Sequence, residues 1–476
     1  MRAEAVTPVA GKPTLLLGAY DLASLGYQAE EFFLSGSATS YAVADSLTPD
    51  GAWRVFPANR ALYKTRLVVV RPSDPARFNG TVLLEWLNVT SGQDMPTEWM
   101  VAHREIVRRG YAYVAVSAQA VGVEGGTSVM GLGTPLKKVD PARYRDLSHP
   151  GDAFAYDIFS QGGAALRAPK MSGLLGKLEA ERVIAMGESQ SAAFLTTYVN
   201  AVDPQVKVYD GFFIHSRFGP SAPLDGMPMH SSGMLADVRF RPDLRGPVLA
   251  LVTETDLVGA RLPGYYASRQ PDDAHLRVWE LAGAAHADGY LFTGAFTDNG
   301  ILSAEQLAAV FWPGQTVAGT RLAKPYNPGM PHHYVVEAAV TALDRWLRTG
   351  QPPAGTPPIM LTPPSEAGAK PTLQTDAHGI ATGGIRTPWT EVPTMLLSGV
   401  GNSGSFVGQL AGIGEPFDGA TLVKLYPGGS GEYLRRFTIA LDQAIAAGHL
   451  LLEDRAEILT VAAINFQRSR SNQVTR

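Results

Sequence analysis

The sequence predicts an α/β fold in which a mainly parallel sheet is covered by helices on both faces. Short apolar segments typical of buried strands alternate along the chain with segments of helical periodicity. Alternation of this kind builds parallel sheets whose strands are buried on both sides. This fold class is also favoured by a serine-containing turn between one such strand and the following helix.

The length, charge and composition of the chain limit the kinds of protein it can be. The chain has 476 residues, 45% of them hydrophobic, which is enough for a large core and long for one compact domain. The formal net charge is −4 and no basic cluster is present, which argues against nucleic acid as a partner. The absence of cysteine excludes disulfides, thiolate metal ligands and a cysteine nucleophile.

The hydropathy of the sequence predicts neither a transmembrane segment nor a signal peptide. No apolar run approaches the roughly 18–20 residues needed to cross a bilayer. The N-terminus lacks the apolar core of a signal peptide. We therefore expect a cytoplasmic protein, with the mature form of an exported protein as the alternative.

The predicted elements organise the chain into a core and an extension. Predicted strands are 65–72, 81–87, 111–116, 183–186, 206–214, 247–252 and 276–281. Predicted helices are 99–109, 152–166, a segment beginning at residue 192, 335–347, 433–447 and 454–466. We expect a core of residues 1–350, with an N-terminal strand segment and loop or lid insertions at about 118–150 and 217–245. Residues 351–476 are expected to form a C-terminal helical extension packed on that core.

The stretch 183–198 has the sequence form of a nucleophile elbow. Its apolar strand is followed by Gly187-Glu188-Ser189-Gln190-Ser191 and then by an Ala-rich helical segment. The turn is so tight that a sizeable side chain two residues before or after the serine would collide with the strand or the helix. Both of those positions hold small residues, although the later one is usually glycine. Ser189 is therefore the candidate nucleophile.

A serine hydroxyl needs a neighbouring base, which in turn needs a third group to orient it. His286 follows the predicted strand 276–281 through a loop of small residues that can reach back over the strand ends. Of the ten histidines it alone follows a strand at the place in the chain order where the base is expected. His215 also follows a predicted strand and is the second candidate. Its alternative roles are a pocket wall or a hydrogen bond in the core.

The candidate acid follows the predicted strand 247–252. Thr253-Glu254-Thr255-Asp256 offers two carboxylates, which point to the same side if the segment is extended. We favour Asp256, because the acid loop usually places the carboxylate a few residues past the strand end, and Glu254 stays the alternative. The resulting order of serine, acid and histidine is the order that α/β-hydrolases use.

An oxyanion hole requires two backbone N–H groups directed at the developing charge. We expect one from Gln190 and the other from Asn88 or Val89, in the loop after strand 81–87. Within that strand, Glu85 is a carboxylate in a buried setting and needs a partner. An arginine or a backbone loop would give it a structural role, whereas support of the oxyanion loop would give it a functional one.

Four residues are candidates for the lining of a substrate pocket. They are Trp86, His215, Phe218 and Tyr290.

Several segments resemble those of a bacterial family described only as alpha/beta hydrolase domain-containing proteins. They are FNGTVLLEWLNVTSG, RYRDLSHPGDAFAYDIFSQ, GESQSAAFLTTYVNAV, LVTETD and WELAGAAHAD, with PYNPG and GGIRTP in the last third of the chain. The resemblance covers nearly the whole chain. It implies the α/β-hydrolase fold and, by motif, roles for Ser189, an acid of the TETD segment and His286. It implies no substrate.

These observations predict a serine hydrolase that cleaves a carboxylic ester through an acyl-enzyme intermediate. The expected partner is a small-molecule ester, and neither a metal nor an organic cofactor is implied. An acyltransferase would use the same triad to pass the acyl group to an alcohol or amine, and a binding protein would keep the fold without catalysis. Cleavage of an amide or lactone by the same residues is a further alternative.

Overall fold

The structure is a computed structural model that describes residues 3–131, 133–168, 173–229, 235–366 and 368–471. Residue 132 of the first predicted insertion, residues 230–234 of the second, and residues 367 and 472–476 of the predicted extension lie outside the described residues. The chain divides into two units. The first consists of Met1–Ala250, Ala267–Leu276 and Leu343–Gln351, and the second of Leu251–Tyr266, Arg277–Ala342 and Pro352–Arg476. One junction lies next to the boundary predicted at 350/351, and the division into a core and a C-terminal extension stays a prediction.

A mixed sheet of nine strands organises the fold, in the order β1-β2-β3-β5-β4-β6-β7-β8-β9. The strands are β1 (Ala5–Val9), β2 (Tyr27–Val43), β3 (Val55–Pro72), β4 (Thr81–Trp86), β5 (Ala112–Val116), β6 (Arg182–Glu188), β7 (Gly211–His215), β8 (Val248–Thr253) and β9 (Leu276–Leu281). The strands β1, β2 and β3 pair antiparallel, as do β3 and β5. The pairs β5–β4, β4–β6 and β6–β7 are parallel. The predicted α/β fold class, with helices flanking the sheet, is confirmed.

The strand predicted over 65–72 is the end of β3, which begins ten residues earlier at Val55. The other predicted strand positions agree with the structure to within two residues except at β7. That strand was expected over 206–214, but Asp203–Val206 forms a short helical turn. Lys207, in the left-handed backbone region with φ 54°, ends this turn, and β7 begins only at Gly211. The apolar residues before the strand therefore belong partly to the end of the preceding helix, which sequence periodicity alone did not separate.

The helices include every segment predicted from periodicity. Those of eight or more residues are α1 (Thr97–Arg109), α2 (Ala155–Leu166), α3 (Gln190–Thr197), α4 (Met330–Thr349), α5 (Gly429–Ala446) and α6 (Arg455–Ser471). Shorter α-helices are Ala120–Glu124, Leu136–Val139, Pro141–Tyr144, Asp203–Val206, Glu254–Val258, Ala295–Thr297, Ala304–Val310, Pro388–Glu391, Phe406–Leu410 and Gly419–Leu425. Single turns of other helix types are Ala23–Leu25, Pro75–Arg77, Asp152–Phe154, Tyr198–Val202, Tyr265–Ser268, Tyr290–Gly294 and Leu452–Asp454. Two-stranded sheets pair Thr316–Val317 with Thr320–Arg321, Leu361–Thr362 with Thr372–Leu373, and Met395–Ser398 with Ile413–Pro416.

The core of the first unit is aromatic where the helices meet the centre of the sheet. Trp86, at the end of β4, lies 5.7 Å from the ring of Tyr156, 4.8 Å from Phe159 and 5.0 Å from Phe194, measured between ring centroids. Because Trp86 is fully buried, its loss would cost about 3–5 kcal/mol of stability. This cluster fixes α2 and α3 against the strand that precedes the 88–96 loop.

In the second unit, α5 and α6 pack through their apolar faces. The rings of Tyr433 and Phe466 stack with centroids 4.4 Å apart, and Phe437 contacts the edge of Trp389 at 5.7 Å. Tyr433, Phe437 and Phe466 are all buried. These helices therefore contribute to the hydrophobic core of their unit.

Glu85 is buried in β4, and its partner is the start of α1. Its carboxylate accepts hydrogen bonds from the backbone N–H of Glu98 at 3.0 Å and of Trp99 at 3.2 Å. The hydroxyls of Tyr113 and Thr97 donate to it at 2.5 and 3.3 Å. Of the partners considered from the sequence, the structure shows backbone donors and not an arginine. Helix N-termini favour such acceptors, because their first N–H groups have no partner within the helix.

None of the helices in the described ranges is long and apolar enough to span a bilayer.

Replacing Glu85 with glutamine should remove part of the pH dependence of stability. Burial, and secondarily the neighbouring Glu98, raise the pKa of Glu85 from 4.5 to about 8. The folded protein therefore binds this proton more tightly than the unfolded chain does, so the stability that Glu85 contributes is greatest below the unfolded pKa and falls as pH rises toward about 8. Urea unfolding would be measured at about pH 5 and at about pH 8. The midpoint should decrease more between these two pH values for the native protein than for Glu85→Gln. Equal losses in both proteins would contradict this assignment.

Candidate active site

Ser189 lies in the first unit on the turn between β6 and α3, in a strained backbone conformation. Its φ is 60° and its ψ is −114°, outside the regions that residues with a Cβ normally occupy. Strain of this kind costs on the order of 1–3 kcal/mol and persists only where the surroundings enforce it. The Ser189 N–H donates to the carbonyl of His215 at 2.9 Å, which holds the turn to the end of β7. Ser189 is partly exposed.

The small residues on either side of Ser189 fit the space that this turn leaves. A Cβ added to Gly187 would lie 2.9 Å from Cβ of Ser191 and 3.1 Å from Cδ1 of Leu195. Ser191 itself is fully buried. A serine is therefore accommodated where glycine is usual, because Gly187 leaves room for it. The requirement for small residues, inferred from the elbow pattern, has a direct steric cause in this structure.

The 88–96 loop contacts the elbow through side-chain amides. The Asn88 Nδ2 donates to the carbonyl oxygen and to Oε2 of Glu188, at 3.2 Å in both cases. The Val89 N–H donates to Oε1 of Gln190 at 3.3 Å. Within the loop, Asn88 and Met95 exchange backbone hydrogen bonds of 3.1 and 2.8 Å. Of the three residues predicted for an oxyanion hole, Val89 thus contacts Gln190, and Asn88 contacts the neighbouring Glu188. Their role stays a prediction.

A buried arginine anchors the far end of this loop. Arg66, in β3, donates to Oδ2 of Asp94 at 2.7 Å, and the Ser117 hydroxyl donates to the same oxygen at 2.5 Å. Arg66 also lies 3.7 Å from the carboxylate of Glu31. All four residues are buried, so the opposite charges compensate one another away from water. Sequence reasoning missed Arg66 and Asp94, because residues so far apart in the chain carry no local pattern.

Asp256 and His286 form a buried pair in the second unit. His286 Nδ1 lies 2.5 Å from Oδ1 of Asp256. The other carboxylate oxygen of Asp256 accepts from the N–H and the hydroxyl of Thr253, at 2.8 and 2.7 Å. The His286 N–H donates to the Thr255 hydroxyl at 3.1 Å. Both oxygens of the carboxylate are therefore engaged, which fixes its orientation toward the imidazole.

Glu254 has different partners from Asp256. Its carboxylate accepts from the N–H of Gly283 at 2.6 Å, the Ser398 hydroxyl at 2.7 Å and the N–H of Gly399 at 2.8 Å. Burial raises its pKa, although these three donors favour the charged form. The expectation that both carboxylates point to the same side was wrong, because Glu254–Val258 is a helix and not an extended segment. Residues two apart on a helix point in different directions.

The four residues predicted to line a pocket are all buried. Trp86 lies in the aromatic core and donates through Nε1 to Gln119 at 3.2 Å. His215 lies 3.4 Å from the carboxylate of Glu98, measured from Nδ1. Phe218 is buried beside Arg217, whose guanidinium donates to the Phe218 carbonyl at 3.1 Å. Their place in a pocket stays a prediction.

Tyr290, in the second unit, is buried between rings and also has a polar partner. Its ring stacks on His333 with centroids 3.9 Å apart, and its hydroxyl donates to Asp298 at 2.9 Å. Two residues before it in the chain, Asp288 pairs with Nδ1 of His332 at 2.9 Å, a contact that sequence reasoning missed. Within the described ranges, no group of three or more histidine, aspartate or glutamate side chains could hold a metal ion.

The type of domain is shown by comparison with protein families. A family model described as an alpha/beta hydrolase domain matches residues 3–460. Among solved structures, the chain is similar to a Klebsiella pneumoniae protein described as a dienelactone hydrolase, at 13% identity, covering 56% of this chain and 92% of that one, with a TM-score of 0.32. It is similar to a serine hydrolase without a lid from Xanthomonas campestris at 10% identity, covering 51% and 84%, with a TM-score of 0.27. It is also similar to an esterase of Pyrococcus furiosus at 11% identity, covering 59% of this chain and 88% of that one, with a TM-score of 0.28. No match was found among curated proteins.

Proposed function

We propose, from the premise that this chain belongs to the alpha/beta hydrolase domain family, that it is a serine hydrolase that cleaves carboxylic esters through an acyl-enzyme intermediate. The family assignment confirms the resemblance that the sequence segments indicated. The observation that carries the proposal is Ser189, a partly exposed serine held at positive φ between a strand and a helix. A strained serine at such a turn is the hallmark of a nucleophile elbow.

His286 and Asp256 are the proposed partners of Ser189. Their support is the order of the three residues along the chain and the Nδ1–Oδ1 contact of 2.5 Å between histidine and aspartate. A carboxylate at Nδ1 favours the tautomer whose other ring nitrogen, Nε2, can accept a proton. It also stabilises the imidazolium that forms when the proton arrives. Glu254, which contacts Gly283, Ser398 and Gly399, is assigned to holding the histidine loop in place.

The proposed reaction has two halves. In the first, Ser189 Oγ attacks the ester carbonyl carbon while Nε2 of His286 takes the hydroxyl proton. The tetrahedral intermediate collapses, its bond to the alkoxy oxygen breaks, and the leaving alcohol receives that proton. In the second half, water loses a proton to His286 and attacks the acyl-enzyme. The bond between Ser189 Oγ and the acyl carbon then breaks, which releases the carboxylic acid, and His286 returns the proton to Oγ.

The backbone N–H groups of Gln190 and Val89 are the proposed oxyanion hole. Gln190 is the first residue of α3, where N–H groups lack partners within the helix. Val89 is favoured over Asn88, because the Asn88 N–H donates to the backbone carbonyl of Met95, whereas the Val89 N–H donates to the side chain of Gln190. Each donor directed at the developing charge is worth roughly 10²–10³ in rate in enzymes of this type.

Ser189→Ala should abolish ester hydrolysis. Removing a nucleophile of this kind costs on the order of 10⁴–10⁶ in kcat, because only background catalysis remains. A p-nitrophenyl ester series from acetate to decanoate, assayed with the native protein and the variant, measures the loss and locates the preferred acyl length. Ser191→Ala removes a serine hydroxyl two residues away and should retain activity within roughly threefold. Equal turnover by the native protein and Ser189→Ala would contradict the proposal.

Asp256→Asn and Glu254→Gln provide a matched comparison, since each converts a buried carboxylate to an amide of the same shape. We expect Asp256→Asn to lower kcat about 10³–10⁴-fold, because the amide no longer favours the required tautomer or stabilises the imidazolium. Glu254→Gln should lower the thermal midpoint and change kcat less than about tenfold, because its partners are loop donors and not the imidazole. Measurements of kcat and thermal melting for both variants distinguish the two roles. The reverse pattern would identify Glu254 as the acid.

A further inference from the structure

The backbone N–H group of Val89 makes a hydrogen bond to a side chain in the structure. It donates to Oε1 of Gln190 at 3.3 Å, and this acceptor is the side-chain carbonyl of the residue that directly follows the proposed nucleophile. An amide carbonyl oxygen and the carbonyl oxygen of an ester use a donor in the same way. The side chain of Gln190 therefore holds the donor that the proposed oxyanion hole requires.

The N–H groups on either side of Val89 are held within the loop itself. The Asn88 N–H belongs to a reciprocal backbone pair with Met95 that closes the loop, so releasing it would open the loop itself. The Thr90 N–H is directed to Oδ1 of Asn88 at 2.8 Å. By contrast, the contact of Val89 is to a rotatable side chain. Gln190 is partly exposed, so its amide can turn into water and leave the N–H group available.

Two contacts hold the loop independently of Gln190. Asn88 Nδ2 holds the loop to Glu188 at 3.2 Å, and Asp94 holds its other end to Arg66 at 2.7 Å. Neither contact involves Gln190. Rotation of the Gln190 side chain therefore changes the occupancy of one donor without moving the backbone that carries it.

We infer that the Gln190 side chain competes with the substrate oxygen for the Val89 N–H, so that the oxyanion hole is closed at rest and opens when substrate displaces the amide. This inference rests on the proposed function. Gln190 then has two opposed effects: its backbone N–H stabilises the oxyanion and its side chain delays access to the second donor. A neutral amide is a weaker acceptor than an oxyanion, so the developing charge wins the competition.

Two substitutions of Gln190 should change activity in opposite directions. Gln190→Met keeps the length of the side chain and the backbone N–H but removes the competing carbonyl, so kcat/KM should rise roughly 2- to 10-fold. Gln190→Glu places a charged acceptor on the donor and repels the oxyanion, so kcat/KM should fall at least about tenfold. Gln443→Met, at an exposed position on α5, is the control for the chemical change and should leave kcat/KM unaltered.

Inhibition by a trifluoromethyl ketone reports on the oxyanion hole directly, because the adduct of this ketone with a serine carries an oxyanion. Its inhibition constant should fall for Gln190→Met by the same factor as kcat/KM rises, with no change in the thermal midpoint. An unchanged or lower kcat/KM for Gln190→Met, in a native protein that hydrolyses esters, overturns the inference and leaves the proposed function intact. If the native protein neither hydrolyses esters nor binds the ketone, the proposed function itself has failed.

Discussion

The turn at Ser189 is the constraint on which the rest of the structure depends. A residue with a Cβ is held at φ 60°, and the strain is balanced by the hydrogen bond to the carbonyl of His215 and by the start of α3. The strand and helix approach so closely that Gly187 has no room for a side chain beside Ser191. Positions of β6, β7 and α3 are thereby fixed relative to one another within the first unit. The same turn leaves Ser189 partly exposed.

Buried carboxylates fix the loops that follow the strands. Asp94 holds the 88–96 loop to Arg66, and Asp256 orients His286 in the loop after β9. An ionised carboxylate away from water costs several kcal/mol unless it is paired or accepts hydrogen bonds, and breaking such a pair costs about 3–5 kcal/mol. A displaced loop would leave that charge unsatisfied. The loops are therefore held in defined positions although they contain few apolar residues.

Much of this architecture could be predicted from the sequence, because it depends on local patterns. Two of these patterns are local: the strand–turn–helix pattern around Ser189 and the strand followed by small residues before His286. The structure has the helix after Ser189 and the strand before the His286 loop where these patterns predicted them. The different directions of the Glu254 and Asp256 side chains could not be predicted from a local pattern, since they depend on the helix that begins directly after β8. Long-range contacts such as Arg66–Asp94 gave no sequence signal at all. The contact of the Gln190 amide with Val89 likewise required coordinates, because it depends on how two loops meet.

The most direct test of Ser189 as the nucleophile is its covalent capture. The native protein would be treated with a fluorophosphonate, digested and sequenced by mass spectrometry to locate the modified residue. A serine activated by a base and an oxyanion hole reacts far faster than other serines, so the account predicts about one label per chain, on Ser189. Prior denaturation should prevent the reaction. Label on another residue, or none on a native protein that hydrolyses esters, would contradict the account.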